Sequence, residues 1–125
     1  MTLKLFIINS SLLLSKYDIT KIKEYNRTVY SFTDEQMNVR GTKLNLGCYY
    51  MYIDDFINVD IKTDIGADLI CDIRNIDSKF SPDSVDMILC SHNLEHISVE
   101  EARVTLRKIR NILKLGGIFI IEVPD

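Results

Sequence analysis

Two short apolar runs, Lys43-Leu44-Asn45-Leu46 and Phe56-Ile57-Asn58-Val59, stop on residues with a specific use: Gly47 after the first and Asp60 after the second. Short runs rich in Leu, Ile and Val between turn signals read as buried strands. A glycine directly after a strand lets the chain turn tightly and lets its backbone approach a ligand. A carboxylate at the end of the next strand can accept hydrogen bonds from ribose hydroxyls. In open α/β sheets this pair of features holds a nucleoside beyond the carboxyl ends of the strands. Here only one glycine is present, so the weight falls on the residues downstream of Asp60.

Those residues keep the pattern. Cys48 to Asp55 reads as a loop or very short helix, and Gly66 supplies a turn over 64–67. Asp68-Leu69-Ile70-Cys71 is a third strand, ending on Asp72. Phe80 to Ser84 is a turn in which Pro82 fixes φ, and Val85 to Cys90 is a fourth strand. Ser98 with Glu101 three residues later spells a capping box. Val99, Ala102, Leu106, Ile109 and Leu113 then recur at helical spacing as one apolar stripe. Gly116-Gly117 is expected to end that helix in a left-handed cap. Ile118 to Val123, apolar at almost every position, is a fifth strand covered on both faces. Strands alternating with crossovers predict an α/β fold: a Rossmann-like open parallel sheet with helices on both faces. The residues just past the strand ends, Gly47, Asp60, Asp72 and Ser91-His92, are expected to converge.

The first third of the chain is less regular. Residues 3–8 read as a strand or a short buried helix. Thr33 with Gln36 suggests a helix start. The division expected is an N-terminal extension over 1–40 that packs on a core over 41–125.

At 125 residues the chain suits one small domain. Its net charge of −3 gives no basic surplus for nucleic acid or anionic membranes. The late cluster Arg103, Arg107, Lys108, Arg110 and Lys114 reads as a solvated helix face. No apolar run reaches membrane-spanning length. The three cysteines, Cys48, Cys71 and Cys90, are odd in number and fit no C-x-x-C metal spacing. They read as buried free thiols of a cytoplasmic protein.

Taken in order, Leu44-Asn45-Leu46-Gly47-Cys48, Ile57-Asn58-Val59-Asp60, Cys71-Asp72-Ile73, Ser84-Val85-Asp86, Ser91-His92-Asn93-Leu94-Glu95-His96, Leu115-Gly116-Gly117 and Glu122-Val123-Pro124-Asp125 resemble the class I S-adenosylmethionine-dependent methyltransferases. The likeness is to a small group reading LNLGCG, NVD, SVD, SHxLEH, LKPGG and VPD. It covers residues 43–125, with each motif at an expected strand end. The resemblance implies S-adenosylmethionine as cofactor and a small-molecule, sugar or lipid methyl acceptor. It implies that Asn45, Leu46, Gly47, Cys48 and Tyr49 cradle the methionine part and that Asp60 binds the ribose. It further implies that Asp72 bonds the adenine amino group, that Ile61 and Ile73 sandwich adenine, and that Ser91 flanks the methyl group. His92 is the candidate catalytic base, since a neutral imidazole near pH 7 suits that role.

Three departures shape the alternatives. The group's second glycine is Tyr49 here, which is expected to occlude the cofactor site in part. The proline before the double glycine is Leu115, at a helix end. The family continues past the fifth strand with a helix and two strands, so the likeness implies a truncated sheet. An exposed strand-five edge would then invite pairing with a second copy. A non-catalytic binding or assembly module is the alternative reading. A zinc hydrolase using His92, Glu95 and His96, which spell H-x-x-E-H, is a remote one; no metal ligand is assigned.

Overall fold

The computed structural model describes residues 2–8, 40–91 and 96–124, with residues 2–8, Ser91 and 122–124 described by backbone alone. Among the described residues six strands form one sheet: β1 (Thr2–Ile8), β2 (Lys43–Leu46), β3 (Ile57–Asp60), β4 (Leu69–Ile70), β5 (Val85–Ser91) and β6 (Leu113–Pro124). A 3-10 helix (Ile73–Ser78) follows β4, and the helix α1 (Val99–Ile112) lies between β5 and β6. The strand order is β1-β6-β5-β2-β3-β4. β2 to β6 are mutually parallel, while β1 runs antiparallel along β6, with Thr2 opposite Pro124 and Ile8 opposite Ile118. The chain steps outward from β2 through β3 to β4, then returns to the other side of β2 for β5 and β6. Strand order therefore reverses between β2 and β5, and a crevice forms at their carboxyl ends.

Alternation along the strands sorts side chains onto two faces. Leu44, Leu46, Val59, Ile88, Cys90, Phe119 and Ile121 join the larger core cluster under α1 and the 3-10 helix. Met87 and Ile120 point the other way and pack with Phe56. Lys43, Asn45, Asn58 and Asp60 alternate with the first set, so the polar side chains of β2 and β3 all lie opposite α1 and are buried. α1 forms because its apolar residues share one face and its ends are satisfied. The Ser98 hydroxyl accepts from the Glu101 N–H, and the Glu101 carboxylate accepts in return from the Ser98 N–H.

Several expectations are corrected. Gly116-Gly117 does not cap α1. The helix ends at Ile112, and Leu113 is already extended and paired with Val85 in β6. The next paired residue is Ile118 opposite Met87, so residues 114–117 bulge out of the ladder, with Gly116 at φ +80° absorbing the turn. Leu113, read as the last residue of the helical stripe, is buried as a strand residue instead. The edge of the last strand, expected to be exposed, is paired with β1 from Ile118 to Pro124, so that stretch offers no free edge to a second copy. Residues 3–8 form a strand rather than a helix. The helix start at Thr33 lies outside the described residues, as does all of 9–39.

Gly41 shows a close approach that only glycine allows. A Cβ there would overlap the Asp86 carboxylate, which accepts from the Thr42 N–H at 2.9 Å and from Lys114 Nζ at 3.1 Å. Among the described residues no helix is long and apolar enough to cross a membrane.

Candidate functional site

The site begins where β2 ends. Gly47 turns at φ +67°, and the next residue donates its N–H to Val59 O at 2.9 Å, so the β2–β3 ladder continues across the turn. Tyr49 follows at φ +48°, a left-handed conformation that costs a side-chain-bearing residue about 1–2 kcal/mol. Its N–H donates to Asp60 Oδ2 at 2.9 Å. The other oxygen, Oδ1, accepts from the Lys62 N–H at 2.9 Å. Asp60 is therefore buried between the loop after β2 and the loop after β3, and it ties the two together. Each carboxylate oxygen accepts one backbone amide and has capacity for another donor.

A second bracket lies one step back along the same face. The two Asn45 amide hydrogens go to Met51 O at 2.9 Å and Asn58 Oδ1 at 3.0 Å. Asn58 Oδ1 also accepts from the Ile53 N–H at 2.9 Å, while its amide nitrogen reaches Ile53 O, Phe56 O and Asp68 Oδ2. Asp68 Oδ2 accepts the Asn58 N–H too, at 2.8 Å. This buried network holds loop 48–55 against β3 where an α/β crossover would ordinarily place a helix. Asn45, expected to touch the cofactor, has both amide hydrogens committed to this network.

The third cluster closes the β4 end. The Asp72 side chain caps the 3-10 helix by accepting the Arg74 N–H at 2.9 Å. Both its oxygens also accept from the Arg74 guanidinium, at 2.6 to 3.1 Å. Arg74 Nη1 reaches Glu101 on α1 at 2.7 Å, so one guanidinium joins strand end, 3-10 helix and α1. These hydrogen bonds hold the Asp72 and Glu101 carboxyls below their usual range and raise Arg74 further. Arg74 is a residue that strand-end reasoning missed; its signal is an arginine two residues after a helix-capping aspartate.

Two adjoining clefts open between these clusters. A smaller one of about 220 Å³ is lined by Gly47, Asp60, Ile61, Asp72, Ile73 and His96, among others. A larger one of about 760 Å³ runs from Asn45, Gly47 and Asp60 under the tyrosines of loop 48–55 to Leu89 and His96. Gly47, Asp60, Ile61 and His96 line both. Of the residues read from sequence, Gly47, Asp60, Ile61, Asp72 and Ile73 share the smaller cleft. Asn45, Gly47, Cys48, Tyr49, Asp60 and Ile61 share the larger. The Leu46 side chain faces the core under α1 and is fully buried, so it lines neither. Ser91 ends β5 opposite Glu122. His92 and Glu95 lie outside the described residues, whereas His96 lines both clefts.

Burial, and after it the nearby Asp60, pushes the Cys48 thiol up, so it stays protonated at neutral pH; burial does the same for Cys71. Partial desolvation, and after it the neighbouring Cys48, Tyr50 and Asp60, push the Tyr52 phenol up although the residue is half exposed. Hydrogen bonds from Asn58 to Asp68, and from Thr42 and Lys114 to Asp86, hold both carboxyls down. A carboxylate whose pKa is lower folded than unfolded adds stability above its unfolded value and loses it as pH falls through the folded one. Asp68, Asp72, Asp86 and Glu101 all act in that direction from ordinary values of 3.8 and 4.5. The expected result is a Tm nearly flat from pH 7 to about 5 that falls steeply below about 4. Asp72→Asn should be less stable at neutral pH and show a shallower acid slope. Differential scanning fluorimetry across pH 3–8 checks both.

A family model described as "Methyltransferase domain" matches residues 52–121, more than half of the chain. The chain belongs to this family. The matched stretch of the methyltransferase domain contains Asp60, Asp72, the capping box and the core of β6, while the Gly47 turn precedes it. The fold is similar to the crystal structure of a SAM dependent methyltransferase from Archaeoglobus fulgidus, with a TM-score of 0.53 at 19% identity. That similarity covers 59% of this chain and 40% of the other, so the matched part spans well under half the length of that protein. No curated protein matches the chain.

Proposed function

We propose that this methyltransferase domain binds S-adenosylmethionine and serves a methyl transfer to a small-molecule acceptor, with residues 41–125 as its cofactor-binding core. The observation that carries this reading is the buried Asp60 carboxylate at the switch point of the sheet. It is fixed by two backbone amides, has capacity for further donors, and stands between Gly47 and the Ile61–Ile73 cleft. Fixed carboxylate oxygens suit ribose hydroxyls, and an apolar slot suits a purine. The residues present therefore fit the nucleoside part of this cofactor. Gly47, Cys48 and Tyr49 would border its amino-acid end, with the Asn45 and Leu46 backbone behind them. Asp72 would meet the adenine amino group only by sharing an oxygen with Arg74.

When bound, the cofactor supplies a methyl carbon already activated by its sulfonium. The chain's work is then positioning, which can be worth several kcal/mol. Asp60 and the network behind it fix the loop that borders the reacting end. Ser91 ends the strand that leads to it. His92 is proposed as the base, on the resemblance alone, for an acceptor whose proton must leave. Three buried free thiols suit a reducing compartment, in keeping with a cytoplasmic protein.

A titration with S-adenosylhomocysteine tests the reading. Ligand at about 100 times Kd adds about 2.7 kcal/mol to the native state, a Tm rise of roughly 10 °C for a domain of this size. No rise at millimolar ligand would defeat it. A second reading, a binding module without turnover, draws on Asp72, whose oxygens are both engaged by Arg74. Tight cofactor binding with no methyl transfer to any acceptor would favour that one.

A further inference from the structure

The loop over the larger cleft carries four large hydrophobic side chains that the fold does not bury. Tyr49, Tyr50, Met51 and Tyr52 are 50%, 57%, 79% and 47% exposed. Single exposed hydrophobics are ordinary, but four in succession over one cleft form a patch of the kind that marks binding sites. The loop is not free to fold them away. Its backbone is pinned at Tyr49 by Asp60, and at Met51 and Ile53 by Asn45 and Asn58. The Tyr49 and Tyr50 rings meet edge to face with centroids 4.5 Å apart. Lys62 Nζ sits 4.8 Å from the Tyr49 ring centroid, on the side of the loop after β3. The Tyr52 hydroxyl lies beside Gly66 in that same loop. Tyr49 keeps its left-handed backbone although half its surface is exposed, so burial of its ring does not offset the strain. Strain held without a packing gain belongs with binding surfaces.

Several polar groups of this cleft already have protein partners. Asp60 accepts two backbone amides, both Asn45 amide hydrogens are committed, and Lys62 lies over an aromatic ring. Rings, a thioether and the aliphatic floor of Ile53 and Leu89 favour a flat, neutral molecule.

We propose that loop 49–52 is an acceptor platform for a neutral planar aromatic molecule, held against the Tyr50 and Tyr52 rings. This rests on the methyltransferase reading above and names the acceptor class for it. The platform is preorganised by the Asn45–Asn58 network, so the acceptor side is set before the acceptor arrives.

The test is calorimetry on the whole chain, with and without saturating S-adenosylhomocysteine, using 2-naphthol as probe. Its saturated analogue decahydro-2-naphthol, methyl α-glucopyranoside and phosphatidylcholine vesicles serve as comparisons. The expected result is at least tenfold tighter binding of 2-naphthol than of the saturated alcohol, with no binding of glucoside or vesicles. The doubly substituted Tyr50→Ala/Tyr52→Ala chain should lose at least tenfold in 2-naphthol affinity while its S-adenosylhomocysteine affinity stays within twofold, which also shows that it is folded. Equal affinity for the flat and saturated alcohols, preference for the glucoside or the vesicles, or a double variant that binds 2-naphthol as the parent does would each overturn the proposal. If the parent chain binds 2-naphthol through these tyrosines but no S-adenosylhomocysteine, the platform stands as an aromatic site and the cofactor reading falls.

Discussion

Asp60→Ala is expected to weaken cofactor binding by about 2–4 kcal/mol, roughly 30- to 1000-fold in Kd, because charge-assisted hydrogen bonds to two hydroxyls are lost. The structure adds a second effect. The Tyr49 and Lys62 amides both lose their acceptor, and the loops after β2 and β3 lose the group that joins them. Leaving partly buried donors unsatisfied costs about 1–3 kcal/mol, so the variant should also melt lower. The two effects separate in Asp60→Asn. Its one carbonyl oxygen can keep one amide, but its NH2 cannot accept the other, so stability falls less while ribose recognition is still impaired. Calorimetry with S-adenosylhomocysteine and thermal melts of both variants provide the comparison. Unchanged affinity in Asp60→Ala would mean that the carboxylate only ties the loops together.

Asn58→Leu is the substitution expected to cost most stability. Leucine fits the volume, but it strands the Asn45 amide, the Ile53 N–H and carbonyl, the Phe56 carbonyl and one contact of Asp68. These groups act as one network, so their costs are not additive. A loss of about 3–5 kcal/mol is expected, or a Tm drop of roughly 15 °C, read by urea and thermal unfolding. Asn58→Asp should be destabilised at pH 7 as well, since it sets a second carboxylate against Asp68. It should recover part of its stability as pH falls toward 5, where the pair can share a proton. A leucine variant as stable as the parent would show that loop 48–55 is held by something other than Asn58.

Much of this site was legible because its cues are local. A glycine after an apolar run, an aspartate after the next and a capping box at Ser98–Glu101 each depend on a few adjacent residues, and each appears where the spacing puts it. Gly116-Gly117 was misleading for the same reason. A double glycine after an apolar stripe is a helix-stop signal, yet the pairing of Leu113 with Val85 drew the chain into a strand three residues earlier. Asn58 carried no local cue, and the cue for Arg74, its place two residues after a capping aspartate, says nothing of its reach to α1. Asn58 looks like any polar residue on a strand, and Arg74 like any surface cation, until the fold brings Asn45, Ile53 and Asp68 to one and Asp72 and Glu101 to the other.

The sequence by itself determined the parallel α/β order from β2 to β6, because apolar runs alternating with crossovers admit few other packings. It also determined where the carboxyl ends of those strands fall. Tertiary structure alone decided which of those residues face a cleft and which are consumed in holding it. Asp60 and Asp72 read alike in the sequence, but Asp60 accepts only two backbone amides, whereas Asp72 is locked into an ion pair with Arg74. Tertiary structure also placed β1 along the edge of β6, a pairing between the two ends of the described chain. No local pattern encodes such a contact, because its register depends on two segments more than a hundred residues apart meeting at one sheet edge.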